Sequence, residues 1–142
     1  MSQQLEALGV KVKRTYKSSS SSVNGMELSQ HHTTEFAMQL PKVTALKVHF
    51  TKEGLGKKIA KLFKKELQTG DADFDRAVFI ATDTPDDTAK FLEAESVRQA
   101  IALAVGFGGY CDVDGDKVVI EVEGRQDGDD ASVTAIVTAL LA

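Results

Sequence analysis

The sequence predicts an α+β fold: a single domain with one mostly antiparallel sheet of about six strands and three or four helices. Three observations lead there. Short runs at 8–17, 44–50 and 110–123 alternate apolar and polar residues, the period of a strand with one wet face. Asp114-Gly115 sits between two such runs and marks a hairpin. Apolar residues recur at helical spacing elsewhere, most clearly at Val97, Ile101, Ala104 and Val105. A chain of 142 residues with 42% hydrophobic and 27% charged content suits one globular domain. Folding at that size removes roughly two thirds of the unfolded surface from water.

The elements follow in order. Residues 1–7 carry no strong pattern and are expected to be a flexible N-terminus. In 8–17, Val10, Val12, Arg14 and Tyr16 share one face of a strand, and Lys11, Lys13, Thr15 and Lys17 the other. Ser18 to Ser22, then Val23-Asn24-Gly25, predict a polar hairpin loop over 18–25. A second strand spans 26–39, and a third 44–50, where Leu46, Val48 and Phe50 alternate with Lys47 and His49. Residues 56–67 predict a helix with Leu55, Ile59, Leu62, Phe63 and Leu67 as its apolar stripe, stopped by Gly70. The apolar run 76–82 predicts a central strand. Thr84-Pro85-Asp86-Asp87 is a helix start, with a cap, a proline at the first position and acids in the first turn. A second helical stretch spans 95–105, the hairpin 110–123, and a closing helix 131–141.

Charge is sorted along the chain. Residues 1–65 hold 12 Lys/Arg against 4 Asp/Glu, while residues 66–142 hold 5 against 17. A basic half and an acidic half suit either an anionic partner or mutual attraction on folding. No apolar run approaches the roughly 18 residues that a membrane span needs. MSQQLEALGVKVKR lacks the apolar core of a secretory signal. The single Cys111 excludes an internal disulfide and a Cys-based zinc site. The expected location is cytoplasmic, with peripheral membrane attachment as an extension.

One resemblance rests on particular residues. Gly70-Asp71-x-x-Phe74-Asp75-Arg76, the apolar strand and Pro-led helix after it, VRQAIALA, and the VDGDKVVIEVEG hairpin before a closing helix resemble a bacterial domain of unknown function. That domain is a soluble module often found beside transmembrane segments. The preceding strands and FTKEGLGKKIAKLF are similar too, so the resemblance covers roughly residues 10–140. It implies no assigned activity, and no catalytic residue is carried over. This chain departs from the pattern in showing no membrane span.

Candidate chemistry is sparse. Asp71, Asp73 and Asp75 would share one side of an extended chain and suit Mg²⁺ or Ca²⁺; the plainer reading is a solvated turn, with Phe74 anchored in the core and Asp75 satisfying backbone donors. Asp112, Asp114, Asp116 and Glu123 match four positions of an EF-hand loop, but Lys117 stands where that loop needs Gly, and Val118, Ile120 and Val122 alternate as a strand. Gly54-Leu-Gly56-Lys57-Lys58 falls short of a Walker loop: Thr51 replaces its first Gly, and Lys58 its Ser/Thr. His31 and His32 are adjacent on a strand and point to opposite faces, so one metal cannot easily take both; with His49 they read as surface histidines. Cys111 reads as a small core residue. The serine run has no base fixed beside it.

The strongest candidate is the basic face of 56–67: Lys57, Lys58, Lys61, Lys64 and Lys65. Five ammonium groups on one short helix repel one another. The plainer reading is a solvated face or one turned toward the acidic half. The expected function is therefore a non-catalytic interaction module that docks an unknown protein or an anionic membrane surface through this helix. The alternative is a small-ligand-binding or metal-dependent enzyme using Asp71, Asp73 and Asp75. No cofactor is expected. Nucleic acid is disfavoured, since aromatic residues are 6%, Trp is absent and the acidic half repels phosphate.

Overall fold

The structure, a computed structural model, describes residues 3–23, 26–54, 60–106, 108–126 and 128–142, with side chains for all of these except residues 3, 19–23 and 26–31. The fold is α+β. In chain order the elements are α1 (Gln3–Ala7), β1 (Lys11–Val23), β2 (Met26–Gln39), β3 (Lys47–Lys52), β4 (Lys65–Glu66), α2 (Ala72–Ala77), β5 (Val78–Thr82), α3 (Pro85–Phe91), α4 (Glu95–Val105), β6 (Tyr110–Asp114), β7 (Lys117–Glu123) and α5 (Ala131–Leu141). One antiparallel sheet runs β1-β2-β7-β6-β3-β5-β4.

Alternation decides which side of the sheet is dry. Phe36, Val48, Phe50, Ile80, Cys111, Val113, Val118 and Ile120 are all at most 1% exposed and share one face. α4 and α5 pack together, and α4 lies on β7, β3, β6 and β5. α4 contributes Val97, Ala100, Ile101, Ala104 and Val105 to this core, and α5 contributes Val133, Ile136, Val137 and Leu140. α5 starts as its sequence predicts: the Asp130 carboxylate accepts the N–H groups of Ser132 and Val133.

Several expectations need correction. Residues 3–7, expected to be flexible, form α1. Leu5 is fully buried, and the Asp129 carboxylate accepts the Gln4 and Leu5 N–H groups. The polar stretch 18–23, expected as loop, continues β1; cross-strand pairing with β2 outweighs the weak strand preference of serine. The tip residues 24 and 25 lie outside the described residues. The run 76–82 supplies β5, sixth in the sheet rather than central, although it has a neighbour on each side. Thr84 precedes α3 without capping it; its hydroxyl instead accepts the Lys47 N–H at 3.0 Å. The 110–123 hairpin turns one residue later than expected. Asp114 pairs with Lys117, leaving Gly115 and Asp116 in the turn, with Gly115 at φ +64°, a region glycine enters freely.

The largest departure concerns the helix expected over 56–67. Residues 55–59 lie outside the described residues. Ala60 is helical, residues 61–64 are turn and bend, and Lys65–Glu66 form β4 on the outer edge of β5. The Lys64 N–H donates to Asp83 Oδ1 at 2.8 Å, and the Leu67 N–H to the Ile80 carbonyl at 3.1 Å. An open strand edge competes for the backbone groups that a helix would have used internally. Among the described residues no helix is long and apolar enough to cross a membrane.

Candidate functional site

Three groups of polar residues compete for attention. The first is the basic segment leading into β4. Lys57 and Lys58 lie outside the described residues. Lys61, Lys64 and Lys65 are exposed, and among the described residues none of them joins an ion pair. Leu62 stands among them at 71% exposure instead of joining an apolar stripe. Phe63 beside it is half-buried, its ring centroid 6.3 Å from that of His49. The segment therefore shows solvent three ammonium groups and one large apolar side chain.

The second group is Asp71, Asp73 and Asp75, which the structure does not bring together around one point. Asp71 caps α2, accepting the Phe74 N–H, and its other oxygen accepts Arg98 Nε at 2.9 Å. The Phe74 N–H first, and then the Arg98 guanidinium, hold this carboxyl below the usual carboxylate range. Asp75 turns the other way and accepts the Thr69 N–H and hydroxyl and the Gly70 N–H, at 2.8–3.0 Å. Asp73 is in solvent, paired with Arg76. Phe74, at 4% exposure, holds α2 to the core, as the plainer reading expects, although the turn is a short helix. Asp71 and Asp73 line an open cleft of about 260 Å³ with Glu95, Arg98 and Gln99; Asp75 is not part of it.

The third group lies on the sheet face opposite the core and was not singled out in the sequence. Strand register places Glu35, Glu121 and Tyr110 side by side across β2, β7 and β6. Two directly opposed carboxylates repel. Lys17 bridges them, with Nζ 2.7 Å from Glu35 and 3.4 Å from Glu121. The Tyr110 hydroxyl donates to Glu35 at 2.8 Å. The bonds from Lys17 and then Tyr110 lower the Glu35 pKa; the same Glu35 contact raises that of Lys17; burial, then Glu35, raises that of Tyr110. The Tyr110 ring stacks on His49 at 5.5 Å between centroids, and His49 Nδ1 lies 3.0 Å from Asp112 Oδ1. A carboxylate-oriented imidazole suits proton transfer. The neighbouring thiol cannot serve as its nucleophile: Cys111 points into the core, fully buried, and desolvation pushes its pKa up. Alternation hinted at this network by placing residues 35, 110 and 121 on polar faces; pairing register was needed to join them.

The remaining candidates disperse. Asp112 is held by His49, Asp114 opposes Lys117, and Asp116 accepts from Gln39 at 3.4 Å, so the EF-hand-like residues spread along a hairpin. Among the described residues no three His, Cys, Asp or Glu side chains are grouped to hold a metal ion. His32 is exposed opposite Ser18, and the side chain of His31 lies outside the described residues. Gly54 is described, with φ +97°, but residues 55–58 lie outside the described residues. No family model, curated protein or solved structure matches this chain. The resemblance to a bacterial domain of unknown function thus remains an expectation from sequence.

Proposed function

We propose that the protein is a non-catalytic interaction module that docks an anionic membrane surface through the basic segment Lys57, Lys58, Lys61, Lys64 and Lys65. The supporting observation is that Lys61, Lys64 and Lys65 are exposed, have no carboxylate partners among the described residues, and flank the exposed Leu62. Three other cations of the basic half are matched internally: Arg14 to Asp129, Lys17 to Glu121, and Lys47 to Asp83. Charge sorting thus serves cohesion in part and leaves this segment over, together with Lys11 and Lys13 at the far edge of the sheet. Each lysine near an anionic leaflet gains about 1 kcal/mol, and an inserted leucine adds apolar transfer.

The test is co-sedimentation with vesicles of phosphatidylserine and phosphatidylcholine. Binding is expected at low salt, absent on pure phosphatidylcholine, and lost by a few hundred millimolar salt as the Debye length drops below about 8 Å. Lys61→Glu, Lys64→Glu and Lys65→Glu together should abolish it with the circular dichroism spectrum unchanged. Wild-type protein that stays in the supernatant at low salt sinks the reading.

A second reading, a small-ligand site or enzyme at the acidic cluster, is favoured by the cleft beside Asp71 and Asp73. It is weakened by Arg98, which already compensates Asp71, and by Asp75, which serves the backbone. If Mg²⁺ or Ca²⁺ bound there, melting would shift upward with metal concentration.

A further inference from the structure

A shallow notch of about 370 Å³ opens on the polar sheet face, at the opposite edge of the sheet from Lys65. Its rim is Lys11, Lys13 and Lys117, beside Gln39, and Ala37 and Val119 form its floor. Register fixes the arrangement. Lys11, Gln39 and Lys117 form one row across β1, β2 and β7; Lys13, Ala37 and Val119 form the next. Strand spacing of about 4.8 Å puts the Lys11 and Lys117 backbones on the order of 10 Å apart, and Lys11 lies about 6.6 Å from Lys13 along β1. Long flexible stems on all three let the ammonium groups approach one another over Gln39 and beside Ala37 and Val119.

All three lysines are exposed, and among the described residues none is paired with a carboxylate. Among the described residues no carboxylate lines the notch. The contrast with Lys17, on the same strand and face, is direct, because that lysine is held between Glu35 and Glu121. Like charges this close are unfavourable unless something anionic sits among them.

We propose that this notch binds a small organic phosphate monoester, the phosphoryl group held by Lys11, Lys13 and Lys117 and the organic body resting on Ala37 and Val119. Three cations call for a dianion, and a phosphate monoester carries about −1.5 to −2 charges near neutral pH. The apolar floor favours an ester over inorganic phosphate. A small ligand fits better than a broad anionic surface, because neighbouring positions of the same face carry Glu35, Glu121, Asp112 and Asp114. A membrane or polyanion pressed flat on that face would meet all of those carboxylates; a compact phosphoryl group at the β1 side of the notch keeps to the lysines, with Asp112 beyond Val119 and Asp114 beyond Lys117. This site is separate from the membrane-docking segment and stands or falls independently of it.

The experiment titrates ¹⁵N-labelled protein with phenyl phosphate and follows backbone amide resonances, with phenol and inorganic phosphate as comparators. Saturable shifts are expected at residues 11–13, 37–39 and 117–119, with roughly millimolar affinity or tighter. Phenol should produce none, and inorganic phosphate weaker ones. Lys11→Gln, Lys13→Gln and Lys117→Gln combined should weaken binding at least tenfold, and each single change severalfold. The Lys→Arg triple variant, which keeps the charge, should still bind. Absence of saturable shifts, shifts confined to residues 61–65, or equal affinity in the Lys→Gln triple variant would overturn the proposal. So would sedimentation with phosphatidic acid vesicles that depends on these lysines when phenyl phosphate does not bind.

Discussion

The two faces of the sheet are built from the same strands by opposite rules. On the covered face Phe36, Val48, Phe50, Ile120 and their neighbours exclude water, and position matters through volume. On the open face Lys17, Glu35, Tyr110, His49, Asp112 and Glu121 are linked by ion pairs, a ring stack and hydrogen bonds at 2.7–3.4 Å. The difference teaches where stability and function separate. Covered-face residues can be spared only at large cost. The open face and its edges hold both satisfied and unsatisfied charges, and the unsatisfied ones are where a partner gains most.

The comparison breaks most visibly in the core. Phe74→Ala should cost roughly 3–5 kcal/mol in chemical denaturation, as for other buried aromatics, since its ring joins α2 to the cluster beneath the sheet. A loss below about 1 kcal/mol would show that the ring contributes little packing. Gly109→Ala is expected to cost about 1–3 kcal/mol, because a Cβ there would collide with the Glu121 carbonyl. Unchanged stability would mean that β6 and β7 separate easily at that end.

Polar positions should cost less. Asp75→Ala removes the acceptor for two N–H groups and a hydroxyl at the entry to α2 and should lose about 1–3 kcal/mol. Tyr110→Phe, which removes only the hydroxyl bonded to Glu35, should lose about 1 kcal/mol in the same assay. Both values sharpen the comparison if they fall below that of Phe74→Ala.

Acid should expose the open face as well. Glu35 and Asp71 have folded-state pKa values below their unfolded ones, so their contributions are present above the unfolded values. Stability should fall as pH drops below about 4.5 and toward the lowered folded values. Lys17 and Tyr110 shift upward, so theirs are present below the unfolded values and fade as pH rises past about 10. Urea denaturation across pH should show the acid limb flattened in Glu35→Gln; an identical limb would remove Glu35 from the account. The smallest effect belongs to the lysines. Lys61→Gln, Lys64→Gln and Lys65→Gln should each leave stability within about 0.5 kcal/mol, and a larger loss in melting experiments would reveal a structural partner.

Much of this architecture follows from sequence alone. Strict alternation at Val118, Ile120 and Val122 determines a strand and its buried side, and Asp114-Gly115 places a turn to within one residue. Asp130 ahead of an apolar stretch determines where α5 starts, and Phe74 between two acids already implies an anchor. These signals are local, because side-chain period and capping act over a few residues. Tertiary structure decided the rest. Apolar residues at helical spacing do not reveal that residues 61–67 leave the helix after Ala60 for an open edge of β5, where Lys65–Glu66 pair. Three aspartates two apart do not reveal that Arg98, 27 residues away from Asp71, takes one of them. Nor can the separate patterns of β1, β2 and β7 show that Lys11, Lys13 and Lys117 come together beside Ala37 and Val119. Register between strands is a long-range choice, set by the fit of whole faces, and it turns polar alternation into a particular set of neighbours.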